Sequence, residues 1–190
     1  GYHDVRHFLN AIFGFIAMLF TGLLAKQIGG WRAGVLALTI IFLSPRFLGH
    51  SLMNPKDIPF AAGYAMALYF MTSFLRQLPK PKISTLLSLA AGIGIAFGTR
   101  AGGLLLVAYL GLFTGVAYVL EHGWSAILGK SKQTLQYVGY AAAAGLGGLL
   151  FGLLLWPYGL VEPFSHVPEA LGGLTQFAVN IRKIFAGDMN

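Results

Sequence analysis

Residues 44–58 read Ser-Pro-Arg-Phe-Leu-Gly-His-Ser-Leu-Met-Asn-Pro-Lys-Asp-Ile and lie between two long apolar runs. Arg46, His50, Asn54, Lys56 and Asp57 crowd into what reads as a short connection at a membrane surface. Charges beside a bilayer core are costly unless they are paired, hydrated or used. Arginine grips phosphate with two parallel N–H groups and lysine acts as a point charge. Arg46 and Lys56 are therefore candidate phosphate ligands, with His50 beside them. Asp57 is a candidate oxygen ligand for a divalent metal, or a group that orients a neighbouring cation. Pro45 and Pro55 should stiffen the connection and end the flanking helices. The plain alternative is a hydrated loop with an Asp–Lys or Asp–Arg pair.

Arg100 stands in a short break between two further apolar runs. It is either a second phosphate ligand on the face that carries Arg46, or a snorkelling arginine that marks a helix end. Asp4, Arg6 and His7 precede the first apolar run, where a lone histidine usually sits at the interface. His3, His7 and His50 lack metal-ligand spacing. Trp31, Trp124, Trp156 and Tyr158 fall at run ends, as interface anchors do. The chain holds no phosphate-cradling glycine loop, nucleophile elbow or HExxH.

The elements that must position these groups are written for lipid. Hydrophobic residues make up 56% of the chain and charged residues 10%, with mean hydropathy +0.71. Soluble domains carry about 25% charged residues. The absence of cysteine excludes disulfides and thiolate metal sites. The net charge of +7 comes from basic residues dispersed among apolar spans, which argues for membrane topology and against nucleic acid. The chain begins at Gly1 without a basic leader and reads as a piece of a longer membrane protein.

The apolar runs are Phe8–Ala25, Ala33–Leu43, Ile58–Leu75, Ile83–Gly98, Ala101–Leu120 and Thr134–Trp156. The second needs residues to about Gly49 to cross ~30 Å of hydrocarbon. Backbone in lipid satisfies its own hydrogen bonds, so these runs predict helices. The expected fold is all-α: a polytopic transmembrane bundle of about six spans over residues 1–156. An outward-facing amphipathic segment should follow over 157–190. In that tail, Val167, Leu171, Leu174, Phe177, Ile181, Ile184 and Phe185 recur at three- and four-residue steps. They predict a helix over Val167–Phe185, with Pro168 and Glu169 in its first turn.

The loops after the first, third and fifth runs hold seven basic residues and the other side six, a small bias, and five of the six acids lie on that other side. That asymmetry places Arg76–Lys82 in the cytoplasm and residues 44–57 and Arg100 outside. Gly94, Gly98 and Gly102, and Gly148 and Gly152, recur at four-residue steps and predict close helix packing, within one bundle or between two copies.

Arg6-His7-Phe8-Leu9-Asn10-Ala11, Ser44-Pro45-Arg46-Phe47-Leu48-Gly49-His50-Ser51, Asn54-Pro55-Lys56-Asp57-Ile58-Pro59 and Thr99-Arg100 together resemble bacterial membrane glycosyltransferases of the C superfamily. The branch they resemble is the dolichyl-phosphate-mannose–protein mannosyltransferase-like group. The resemblance implies a polyprenyl-phosphate sugar donor, a lipid or protein acceptor and transfer on the outer face of a bacterial inner membrane. It also implies a general base in an outer loop upstream of residue 1, so that the isolated piece should be inactive. Asp57 matches the acidic position of the second outer loop, where metal or donor phosphate is handled. A transporter or flippase component and a non-catalytic membrane scaffold are the alternatives. If one anionic donor is served, Arg46, Lys56 or Asp57, and Arg100 should line one cavity, with His50 at its edge.

Overall fold

The computed structural model describes residues 2–123 and 132–156, with 161, 165, 168–169, 172, 184–185 and 188–189. The chain divides into two compact units, Gly1–Pro157 and Tyr158–Asn190. The first unit is helical: α1 (Tyr2–Phe42), α2 (Pro45–Met53), α3 (Asp57–Gln77), α4 (Ile83–Thr99), a 3₁₀ turn (Ala101–Gly103), α5 (Leu104–His122) and α6 (Lys132–Leu154). Four of these helical stretches are long and apolar enough to cross a membrane: Asp4–Phe42, Asp57–Gln77, Ala101–His122 and Lys132–Leu154.

The six apolar runs fall on these helices, with two of them in α1. Gly30 breaks α1 with φ 76° and ψ −171°, a conformation that favours glycine. The chain folds back there. A Cβ on Gly34 would stand 2.9 Å from Lys26 Cβ, and one on Gly22 would stand 2.6 Å from Leu38 Cγ. Such contacts cannot form along one straight helix, where each residue advances the chain by about 1.5 Å. α1 is therefore an antiparallel hairpin.

The second arm ends at Phe42, and Leu43–Ser44 interrupts it. The Ser44 hydroxyl accepts from Phe47 N, and Pro45 opens α2, where a missing N–H costs nothing. α2 then prolongs the second arm along the first. A Cβ on Gly14 would stand 2.6 Å from Ser51 Cβ, and His7 bonds to Leu52 O. The stretch expected to be a loop is thus largely helix, because Ser44-Pro45 restarts a helix as effectively as it ends one.

α4 lies at the centre, packed most extensively against α3 and α6. At 17 residues it rises about 25 Å, short of the ~30 Å hydrocarbon core. Its Leu89, Ile93 and Ala96 are fully buried. Small residues set the spacing on both flanks. A Cβ on Gly63 of α3 would meet Ala96 N at 2.6 Å, and one on Gly92 would meet Ala67 N at 2.7 Å. On the other flank, a Cβ on Gly94 would meet Gly148 O at 2.8 Å, and one on Gly98 would meet Gly152 O at 2.8 Å. The glycine repeats are therefore used within one bundle. Gly102 is not part of that seam; it lies in the 3₁₀ turn, where an added Cβ would meet only Phe60.

Trp31 stands at the hairpin turn with Lys26 Nζ 3.6 Å from its ring centroid, and Trp156 meets Phe97 edge-on. Trp124 and Tyr158 lie outside the described residues. In the second unit, Pro168 and Glu169 are helical, as expected. The predicted helix does not run on to Phe185, however. Ile184–Phe185 is a strand, β1, paired antiparallel with Asp188–Met189, β2. Branched and aromatic residues such as Ile184 and Phe185 favour that conformation. Most of the remaining Val167–Phe185 stretch lies outside the described residues.

Candidate functional site

The up-and-down path brings the N-terminus of α3 beside the C-terminus of α4. Asp57 occupies the first turn of α3, where the helix dipole favours a carboxylate. Arg100 caps α4 through its backbone N–H to Ala96 O at 3.0 Å. The side chains meet, with Arg100 Nη2 donating to Asp57 Oδ1. The pair is 51% and 45% exposed, and an exposed ion pair stabilises a fold by ~1 kcal/mol or less.

Asn54 wires this pair to α2. Its Oδ1 accepts from Asp57 N at 3.0 Å and from Lys56 N at 3.2 Å, which caps the start of α3. Its Nδ2 donates to Asp57 Oδ2 at 2.6 Å and lies 2.9 Å from His50 Nδ1. The Asn54 backbone N–H donates to His50 O at 2.8 Å. Four-residue spacing puts Arg46, His50 and Asn54 on one face of α2 and its cap. The polar groups therefore form a ladder, Arg46–His50–Asn54–Asp57–Arg100.

Contacts join only part of that ladder. His50, Asn54, Asp57 and Arg100 are linked directly, whereas the Arg46 guanidinium and the Lys56 ammonium have no hydrogen-bond or ion-pair partner among the described residues. Both residues are exposed. Arg46 starts seven residues before Met53, about 10 Å along the helix axis, so it approaches the others from deeper in the bundle. A cavity lies away from this cluster. It measures about 950 Å³ between α5 and α6, and its wall includes Leu110, Thr114, Tyr118 and Tyr137. At the bundle end that carries Asp57 and Arg100, the contacts form an exposed polar network.

Two residues that sequence reasoning treated lightly hold α2 in place. His7 Nδ1 bonds to Leu52 O at 2.8 Å. Asn10 Nδ2 donates to His50 O and Ser51 O at 3.0 Å each. The last carbonyls of a helix lack partners within it, and here the first arm of α1 supplies them. Asn10 is 4% exposed, and its Oδ1 has no hydrogen-bond partner among the described residues. That orphaned acceptor carries a desolvation cost, which its two donated bonds offset. The available signal was the three-residue step from His7 to Asn10, which puts both on one helix face.

As a metal site the arrangement is incomplete. Among the described residues no three His, Cys, Asp or Glu side chains gather, and both Asp57 oxygens are already engaged.

The pattern matches the family model described as dolichyl-phosphate-mannose-protein mannosyltransferase over residues 4–147. The chain belongs to this family. The matched region contains the whole ladder, His7 and Asn10, and it ends just before Gly148 and Gly152 of the glycine seam. The helices described above are thus those of a membrane glycosyltransferase domain. Searches of curated proteins and of solved structures give no significant match.

Proposed function

We propose that the bundle end carrying Asp57 and Arg100 holds the phosphate of a polyprenyl-phosphate sugar donor. The sugar then passes to a lipid or protein acceptor on the outer membrane face. The observation that carries this reading is the Asp57–Arg100 pair, an exposed guanidinium aimed by a carboxylate, with exposed Arg46 and Lys56 that have no polar partner among the described residues. Family membership supports the donor class.

In the reaction, the bond between the anomeric carbon and the phosphate oxygen breaks and the electron pair stays on the phosphate. An acceptor oxygen forms the new bond from the opposite face, with inversion. The acceptor proton leaves to a base outside this set. Arg100 and Lys56 neutralise charge as it grows on the leaving phosphate, and Arg46 does so from the deeper side. His50 lies at the edge and donates a hydrogen bond.

The six apolar runs cross the membrane in this reading, with the ladder at the outer end. A transporter needs a polar route through the bilayer. The Asp, Glu, Lys, Arg and His residues of α3, α4, α5 and α6 all stand at helix ends, which favours the transferase. Donor turnover by the full-length protein carrying Arg46→Ala or Asp57→Ala tests the assignment. Both variants should slow transfer, and wild-type rates in both would sink it.

A further inference from the structure

We infer that Asn54 is a positioning residue that fixes His50 as a neutral hydrogen-bond donor, with its proton on Nε2, toward the donor phosphate. The inference rests on the function proposed above and adds a protonation state to one of its residues.

A side-chain amide can in principle be turned either way. Here its oxygen side faces two backbone N–H groups, those of Lys56 and Asp57. Its nitrogen side faces Asp57 Oδ2 at 2.6 Å, where an amide oxygen would be repelled. The orientation is therefore unique. Nδ2 is a donor only, so His50 Nδ1 at 2.9 Å must accept. In a neutral imidazole the proton then sits on Nε2.

The same amide group holds the carboxylate. One Nδ2 proton goes to Asp57 and the other to His50, which leaves Asn54 no spare donor. Asp57 turns its other oxygen to Arg100. Asn54 thereby sets two groups at once: a guanidinium held by its carboxylate and an imidazole presenting N–H. His50 is exposed, so its Nε2–H is open to a phosphate oxygen. In this state Nε2 cannot accept a proton, so His50 is a phosphate contact and not the base that deprotonates the acceptor.

The discriminating substitution is Asn54→Asp. A carboxylate at 54 still accepts from Lys56 N and Asp57 N, so the start of α3 stays capped. It cannot donate, so it draws the His50 proton to Nδ1 and repels Asp57. The experiment uses the full-length protein with ¹⁵N-labelled histidine. His50 is assigned by comparison with His50→Gln, and donor kinetics are measured on the same samples. In the wild type the Nδ1 signal should be that of an unprotonated nitrogen and the Nε2 signal that of a protonated one. Asn54→Asp should exchange them and raise the donor KM about tenfold, the effect of one hydrogen bond to a charged group. A wild-type Nδ1–H signal, or Asn54→Asp with unchanged ring signals and KM, overturns the inference. Failure of the wild type to use any polyprenyl-phosphate sugar overturns the phosphate role of His50 together with the proposed function. The ring signals would still report whether the wiring itself is right.

Discussion

Asp57 opens α3, Arg100 closes α4, and the two side chains pair at the bundle end where those helices run side by side. Because the pair is about half exposed, it adds little to stability. Asp57→Asn should change unfolding free energy by less than about 1 kcal/mol. The same change should raise the donor KM about tenfold, because Arg100 is no longer aimed. Thermal unfolding and steady-state kinetics on one preparation separate the two effects. A large loss of stability without a kinetic change would make the pair a structural brace.

Packing of α4 against α6 leaves no room for side chains at Gly94 and Gly148. Gly94→Leu and Gly148→Leu should each destabilise the protein by about 1–3 kcal/mol through overpacking. At Gly111 an added Cβ meets nothing within 4 Å, so Gly111→Ala should leave the melting temperature unchanged or higher. Melting in detergent compares all three.

Removal of the clamp on α2 should loosen the ladder without touching it directly. Asn10→Ala deletes two bonds to α2 carbonyls and should cost about 1–3 kcal/mol locally. Hydrogen exchange at the Leu52–Asn54 amides should quicken in Asn10→Ala and in the His7→Ala, Asn10→Ala double variant. Unchanged protection there would mean that α2 is held by its apolar contacts alone.

Gly30 carries the turn that makes α1 a hairpin, at φ 76°. A side chain at this φ and ψ is strained by roughly 1–3 kcal/mol. Gly30→Val should lower the melting temperature. Equal stability of wild type and Gly30→Val would contradict the turn geometry.

Much of this architecture was legible in the residue pattern. Each apolar run lies on a helix because backbone bonds in lipid must close locally. Arg46, His50, Asn54, Lys56 and Asp57 were legible as a chemical cluster because charge is scarce elsewhere. Their wiring was not. Pro45 was read as a helix stop, whereas Ser44 caps a restart at that point and turns much of the expected loop into α2. Asn54 was read only as the amide of the cluster, and its two faces become distinct once α2 and α3 meet at it. His7 looked interfacial because its partner, Leu52 O, is a backbone atom that no residue pattern reveals. The convergence of Arg100 with Asp57 depended on the glycine-tight crossing of α3 and α4. The expected helix end at Ile184–Phe185 failed because apolar steps of three and four do not exclude a strand pair over so few residues.

The central claim is that cations at this bundle end carry the donor phosphate. Steady-state transfer from a polyprenyl-phosphate sugar by the full-length protein, with Arg100→Gln, Arg100→Lys and Lys56→Gln compared, tests it most directly. A hydrogen bond to a charged group contributes about 1.5–3 kcal/mol, so Arg100→Gln should weaken donor use by at least about tenfold. Arg100→Lys should recover part of that loss, and Lys56→Gln should show a smaller one. Wild-type KM and kcat in both glutamine variants would contradict the account.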